Sequence, residues 1–170
     1  MTTLLTAILI VFFTLFIYIA WKYGILSSWS ETFYKLEESG KGWIFSVVMM
    51  FLGVASGAIM FQLADGQWFQ FVGLFAAFPI GFVGAAPKFS FVKGLELERQ
   101  VHFFAAKMSG VSSFIWIILM AVYVDWVLIL SIPIAAVLAL TGYLFAPKRI
   151  WWIEMVMFFS VFMVFAYLTI

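Results

Sequence analysis

Six long apolar stretches constrain this chain more than any other feature of its sequence. A helix needs roughly 20 apolar residues to cross the hydrocarbon core of a membrane, and each stretch is close to that length. The stretches are 4–21, 43–61, 69–87, 101–123, 126–146 and 151–168. Because the connections between them are short, neighbouring helices should pack antiparallel. We therefore predict an all-α fold, a polytopic transmembrane helical bundle of about six helices that forms one domain over residues 1–170.

The composition indicates the same class of protein. Of the 170 residues, 66% are hydrophobic and 10% are charged, whereas a soluble domain carries roughly 25% charged residues. The chain has no cysteine, which excludes disulfides and thiolate metal sites. The net charge of +1 offers no basic surface for nucleic acid. The first apolar stretch has no basic segment before it and no small-residue cleavage site, so we expect a membrane span there and not a cleaved signal peptide.

The positions of the basic residues predict the orientation in the membrane. Loops rich in Lys and Arg lie on the cytoplasmic side. Eight of the nine basic residues fall in the loops after the first, third and fifth stretches, and the termini and the other two loops contain none. These eight are Lys22, Lys35, Lys41, Lys88, Lys93, Arg99, Lys148 and Arg149. We therefore predict that both termini lie on the non-cytoplasmic side.

The first cytoplasmic loop should contain a short amphipathic helix. Ser28 and Glu31 have the spacing of a capping box, in which each side chain accepts a hydrogen bond from an opening backbone amide. The segment that follows mixes apolar and charged residues as far as Glu38, and Gly40 and Gly42 would end it. We expect this helix to lie at the membrane surface.

Small residues predict where the helices pack closely, because they let two backbones approach. Gly53 and Gly57 are four residues apart in the second stretch. Similar rows follow in the third to fifth stretches, and we expect these four helices to pack tightly. Pro79 and Pro133 fall within the third and fifth stretches, where we expect kinks.

Ionisable side chains at membrane depth are rare and costly, so each is a candidate for function. His102 and Lys107 lie in the fourth stretch and Glu154 lies about one turn into the sixth. All three fall in the cytoplasmic half of the predicted topology. Lys107 points roughly 140° away from His102 around the helix. The candidate ligand-binding residues are His102, Lys107 and Glu154, with Glu98, Ser109 and Ser113 on the face of His102, and Tyr34 in the first loop.

Structural interpretations of the same residues stand beside the functional one. Lys107 could extend its ammonium toward the cytoplasmic interface, and Glu154 could pair with Lys107, Arg99 or Arg149 to neutralise its charge. His102 could cap the start of its helix or lie among the lipid headgroups. The functional alternative is a pocket facing the cytoplasm, in which Glu154 or His102 relays protons or binds a cation and Lys107 holds an anionic group.

The sequence leaves three functions open. The first is non-enzymatic binding or transport of a small molecule or lipid, or a role as a partner subunit. The second is a membrane-embedded enzyme that modifies a lipid, with a site around Tyr34, His102, Lys107 and Glu154. The third is an oligomeric channel. No catalytic residue is assigned and we expect no cofactor and no metal, since one histidine cannot form a site with two or three histidine ligands. The expected partners are membrane lipids and a second copy or another membrane protein.

Three groups of residues resemble a family of small bacterial six-helix membrane proteins. They are Ser30-Glu31-Thr32-Phe33-Tyr34 with Leu36-Glu37, then Gly84-Ala85-Ala86-Pro87, and Val101-His102. The resemblance covers about half of the chain and implies a polytopic protein of the bacterial cytoplasmic (inner) membrane, with no activity assigned. The chain is more faintly similar to the membrane hydrolases that include alkaline ceramidases. Those hold a metal with several histidines, including a pair on the last helix, whereas the last stretch here has none.

Overall fold

The computed structural model describes residues 1–88 and 96–170. These residues form seven α-helices and no strand, which confirms the predicted all-α class. The helices are α1 (Thr2–Tyr23), α2 (Thr32–Glu37), α3 (Gly42–Leu63), α4 (Val72–Ala85), α5 (Glu96–Tyr123), α6 (Ser131–Phe145) and α7 (Arg149–Thr169). Short 3-10 helices at Trp29–Glu31 and Trp126–Leu130 precede α2 and α6. Lys93, one of the predicted cytoplasmic residues, lies outside the described residues.

Five segments are long and apolar enough to cross a membrane, so the chain is a membrane protein. They are Thr2–Tyr23, Gly42–Leu63, Glu96–Tyr123, Trp126–Phe145 and Arg149–Thr169. The third predicted stretch forms the shorter helix α4, whose 14 residues rise about 21 Å at 1.5 Å per residue. That length is less than the hydrocarbon core of roughly 30 Å, and the count of six spanning helices stays a prediction.

Close approach of α3 and α4 depends on small residues, as the sequence predicted. A Cβ atom added at Gly53 would lie 2.8 Å from the backbone nitrogen of Gly81 and 3.0 Å from the carbonyl oxygen of Ala77. At Gly84 it would lie 2.7 Å from the carbonyl oxygen of Ser46. Helix α5 packs on the other side of α4, where the Ser109 hydroxyl donates a hydrogen bond to the Ala76 carbonyl oxygen at 2.6 Å. Helices α3, α4 and α5 therefore form the compact part of the bundle.

Helix α6 departs from the expected tight packing. Its buried residues are Ala135 and Gly142, and its long apolar side chains are exposed. An apolar side chain gains little by leaving lipid for protein, so the small residues of α6 do not require a closely packed neighbour on each side. Pro133 is the third residue of α6, in the first turn, where proline removes no intrahelical hydrogen bond. Pro133 therefore lies near the start of α6, where the 3-10 helix Trp126–Leu130 passes into α-helix, and not mid-helix as predicted; the kink stays a prediction.

The first loop contains the predicted short helix, with its apolar side turned inward. Phe33 and Leu36 of α2 are buried and Glu38 is exposed. The helix packs against α3, so its apolar side contacts protein. The expectation that this helix lies at the membrane surface stays a prediction.

Candidate functional site

The first loop places its 3-10 turn inside the bundle. This turn, Trp29–Glu31, is called the buried turn below. Trp29 is 2% exposed and its ring lies 5.4 Å from that of Phe12 and 6.3 Å from that of Phe16, centre to centre. The indole N–H of Trp29 has no acceptor among the described residues. Packing against the aromatic side chains of α1 therefore contributes to holding Trp29 in place.

Hydrogen bonds at its start shape the buried turn. The Ser28 hydroxyl oxygen accepts a hydrogen bond from the Glu31 amide at 3.2 Å, which is one half of the predicted capping box. The Glu31 carboxylate reaches one residue further back than predicted, and accepts from the amide of Ser27 at 2.7 Å and from the Ser27 hydroxyl. Burial alone would raise the pKa of the Glu31 carboxyl, but these bonds, with Lys148 and Lys35 nearby, hold it below its usual value. Glu31 is therefore charged at neutral pH.

Glu154 joins the last helix to the buried turn. Its Oε2 atom accepts a hydrogen bond from the backbone N–H of Trp29 at 2.5 Å. The residue is partly buried, and in the described ranges no Lys or Arg lies within ion-pair distance of its carboxylate. The pairing with Lys107, Arg99 or Arg149 that the sequence offered is therefore not formed. Glu154 is a carboxyl group in the interior that accepts one hydrogen bond, from a backbone amide.

His102 joins α5 to the next residue of the buried turn. The ring is 3% exposed, with Nδ1 2.8 Å from the Ala86 carbonyl oxygen and Nε2 3.1 Å from the Ser30 hydroxyl oxygen. A carbonyl oxygen only accepts, so the proton is on Nδ1. In the neutral ring, Nε2 then accepts a hydrogen bond from the Ser30 hydroxyl. His102 therefore links α5, the end of α4 and the buried turn, neither capping its own helix nor lying at the lipid headgroups.

A cavity of about 110 Å³ lies inside the bundle, between the buried turn and helices α3, α4, α5 and α7. We call it the central cavity. Most of its wall is apolar and includes Leu52, Met157, Phe158 and Phe162. The polar side chains in its wall are Ser30, Ser56, Ser109, Ser113 and Glu154. The arrangement is a small, partly open and mostly apolar cavity with a carboxyl group and serine hydroxyls in its wall, and small-molecule sites have a lining of the same kind.

The predicted candidates are divided between this cavity and the outside of the bundle. Glu154, Ser109 and Ser113 line the cavity, and His102 contacts it through Ser30. The side chain of Lys107 is exposed, on the side of α5 away from His102. Glu98 is partly buried and accepts a hydrogen bond from the Lys88 amide at 3.2 Å. Tyr34 lies on α2, where its ring contacts that of Phe33.

Sequence reasoning missed two residues of the wall and one contact. Ser30 belonged to the predicted loop helix, Ser56 was not among the residues singled out, and neither was expected in a site. The bond from Trp29 to Glu154 joins residues 125 positions apart, and no local pattern predicts it. The available signal was the pair of hydroxyls beside Trp29 in a loop otherwise rich in charge.

A second, larger groove lies between α6 and α7 on the outside of the bundle. It has a volume of about 770 Å³ and is lined mainly by apolar side chains, including Leu138, Phe145 and Trp152. Arg149 lies near it, with its guanidinium 5.3 Å from the centre of the Tyr143 ring. Such a groove is open to lipid and suits an acyl chain better than a polar solute.

Comparison of the chain with models of known families, with curated proteins and with solved structures finds no match. The function is therefore inferred from the arrangement of the described residues.

Proposed function

We propose that this chain is a non-enzymatic integral membrane protein that binds a small molecule in the central cavity. The observation that carries the proposal is the cavity itself, a space of about 110 Å³ with Glu154 and four serines in its wall. Protein interiors are close-packed, and voids larger than a water molecule are few. An engineered cavity of roughly 150 Å³ holds benzene, so a ligand of about that size or smaller fits.

The placement of the candidate residues favours binding over lipid-modifying catalysis. An enzyme at the cytoplasmic interface required His102, Lys107 and Glu154 to converge on one cavity. Lys107 is exposed, and the ring nitrogens of His102 bond to the Ala86 carbonyl oxygen and the Ser30 hydroxyl. The side chains of Lys107 and His102 are therefore not available to a substrate in the cavity. Of the three candidates, only Glu154 lines the cavity.

The distribution of basic residues supports an orientation for the site. With both termini on the non-cytoplasmic side of a bacterial inner membrane, the loop that contains the buried turn faces the cytoplasm. Trp29 and Ser30 then close the cytoplasmic end of the central cavity. A ligand would enter from that side when the buried turn moves. Membrane lipids are further partners, with the groove between α6 and α7 as the place for an acyl chain.

Native mass spectrometry of the protein released from mild detergent tests the proposal. The wild-type protein should carry a small discrete added mass. Ser113→Leu fills part of the cavity and should lose that mass. Val111→Leu enlarges a side chain that is 60% exposed on the same helix, and should keep it.

The same spectra separate the alternatives. An unchanged added mass on the Ser113→Leu variant, or a bare monomer from the wild type, would contradict a ligand in the central cavity. A bare symmetric oligomer would favour the channel, because rows of small residues also support contacts between protomers.

A further inference from the structure

We propose that the ligand of the central cavity is a small organic ammonium ion, with Glu154 as its counter-charge. This inference rests on the proposed function and adds the chemical class of the ligand. It is carried by three polar atoms in the cavity wall, each of which can accept a hydrogen bond from the ligand.

The first acceptor is the Glu154 carboxylate. Its Oε2 atom accepts from the Trp29 amide, and in the described part of the chain no basic side chain pairs with it. An ionised carboxylate inside a membrane protein is costly unless a charge or several donors meet it. One backbone amide leaves most of the acceptor capacity of this group unused. A ligand that brings a positive charge supplies the counter-charge that the described residues do not.

The second and third acceptors are the hydroxyl oxygens of Ser30 and Ser109. Ser30 donates its proton to Nε2 of His102 when that ring is neutral, and Ser109 donates its proton to the Ala76 carbonyl oxygen. A hydroxyl has one proton and two lone pairs. Both hydroxyls therefore use their protons within the protein and retain lone pairs for a donor. Both residues line the cavity, where these lone pairs can accept a hydrogen bond, and the wall also contains Trp29, whose indole N–H has no acceptor among the described residues.

The remaining wall selects among cations. Metal ions such as Ca²⁺ take six to eight oxygen ligands, and among the described residues no group of three His, Asp or Glu side chains is close enough to hold one. Leu52, Met157 and Phe162 offer apolar and aromatic surface instead. Such a wall suits an alkyl body, and the aromatic rings attract a cation. A primary ammonium can pair with the Glu154 carboxylate and place an alkyl body, small enough for about 110 Å³, against the apolar wall.

Isothermal titration calorimetry of the full-length protein in detergent tests this inference with two probes of one shape. Isobutylammonium and isobutanol have the same carbon skeleton and differ in charge and donor number. We expect isobutylammonium to bind the wild-type protein about tenfold more tightly or better, because a charge-assisted hydrogen bond is roughly twice as strong as a neutral one. Glu154→Gln removes the charge and keeps an acceptor for the Trp29 amide, so this preference should vanish. Val111→Leu should leave both affinities unchanged.

The outcomes test separately whether the ligand is an ammonium ion and whether it binds in the central cavity. Equal binding of the two probes, or tighter binding of isobutanol, overturns the ammonium inference and leaves the cavity as a site for neutral molecules. Binding of isobutylammonium that is unchanged by Glu154→Gln also overturns it. Loss of probe binding in Ser113→Leu assigns the binding to the cavity. Failure of both probes to bind the wild-type protein contradicts the inference, and a small-molecule mass in native spectra would then still support the proposed function.

Discussion

At the scale of single residues, the main contact is the hydrogen bond from the Trp29 amide to the Glu154 carboxylate. It joins the first loop to the last helix across 125 positions of sequence. Its neighbour is the bond between Ser30 and His102. Two adjacent residues of the buried turn are therefore held by side chains of α5 and α7. The same two bonds leave Glu154 and Ser30 in the wall of the central cavity with acceptor capacity to spare.

Substitution of Glu154 should separate its structural role from its charge. Glu154→Ala leaves the buried Trp29 amide without an acceptor, and we expect a loss of about 1–3 kcal/mol in the free energy of unfolding. Glu154→Gln keeps an acceptor oxygen for the Trp29 amide and should retain the wild-type value or exceed it, because the amide carries no charge to desolvate. Unfolding in mixed detergent micelles measures both variants. Glu37→Gln, at an exposed carboxylate that forms no ion pair with a described residue, is the control.

An equal loss in the Gln and Ala variants of Glu154 would contradict this account. It would mean that the charge of Glu154, and not its role as an acceptor for Trp29, stabilises the buried turn.

At the scale of secondary-structure elements, the close packing of α3 against α4 depends on glycine residues. Gly53 of α3 faces the backbone of α4 at Gly81, and Gly84 of α4 faces the backbone of α3 at Ser46. The glycine spacing alone was enough to predict this contact, because in lipid small residues mark the places where helices approach. The buried turn could not be predicted in the same way, because its partners lie on α1, α5 and α7, and the local pattern resembles an interfacial helix.

Two glycine substitutions across this contact should differ in their effect. Gly53→Ala places a methyl group 2.8 Å from the backbone nitrogen of Gly81, which cannot yield unless the helices separate. We expect a loss of about 1–3 kcal/mol in the free energy of unfolding, as for overpacking. Gly81→Ala is the matched control, since its methyl group would meet only the Cα of Met50 at 3.9 Å. The same micelle assay should find it close to wild type.

A Gly81→Ala variant as unstable as Gly53→Ala would mean that the two helices tolerate no methyl group anywhere along this contact. The specific role of Gly53 would then be wrong.

At the scale of the whole molecule, the bundle has a compact part and a loose part. Helices α3, α4 and α5 pack closely, whereas α6 contacts mainly α7 and exposes most of its apolar side chains. Hydropathy was enough to predict the all-α class and the five described segments that are long and apolar enough to cross a membrane, because the bilayer requires long apolar helices. Hydropathy does not say which apolar faces meet protein and which meet lipid. For that reason the prediction that α6 packs tightly was wrong.

The sequence predicted some residues of the candidate site but not all of them. Glu154, Ser109 and Ser113 were identified because polar groups at membrane depth are rare. Lys107 met the same criterion and lies on the outside, since its side chain is long enough to reach the interface from there. Ser30 and Ser56 could be placed only once the buried turn and its neighbouring helices were described.

Accessibility of a single cysteine in the central cavity tests the central claim most directly. The chain contains no cysteine, so Ser113→Cys introduces a unique thiol into the cavity wall. The controls are Ile59→Cys, at a residue that is 0% exposed and outside the cavity, and Ser39→Cys, at an exposed residue of the first loop. The probe is methyl methanethiosulfonate, a small neutral reagent. We predict that it modifies the thiols at 113 and 39 and leaves the thiol at 59 unreacted, and that isobutylammonium slows the reaction at 113 alone. A thiol at 113 as inert as the one at 59 would contradict a cavity that admits small molecules.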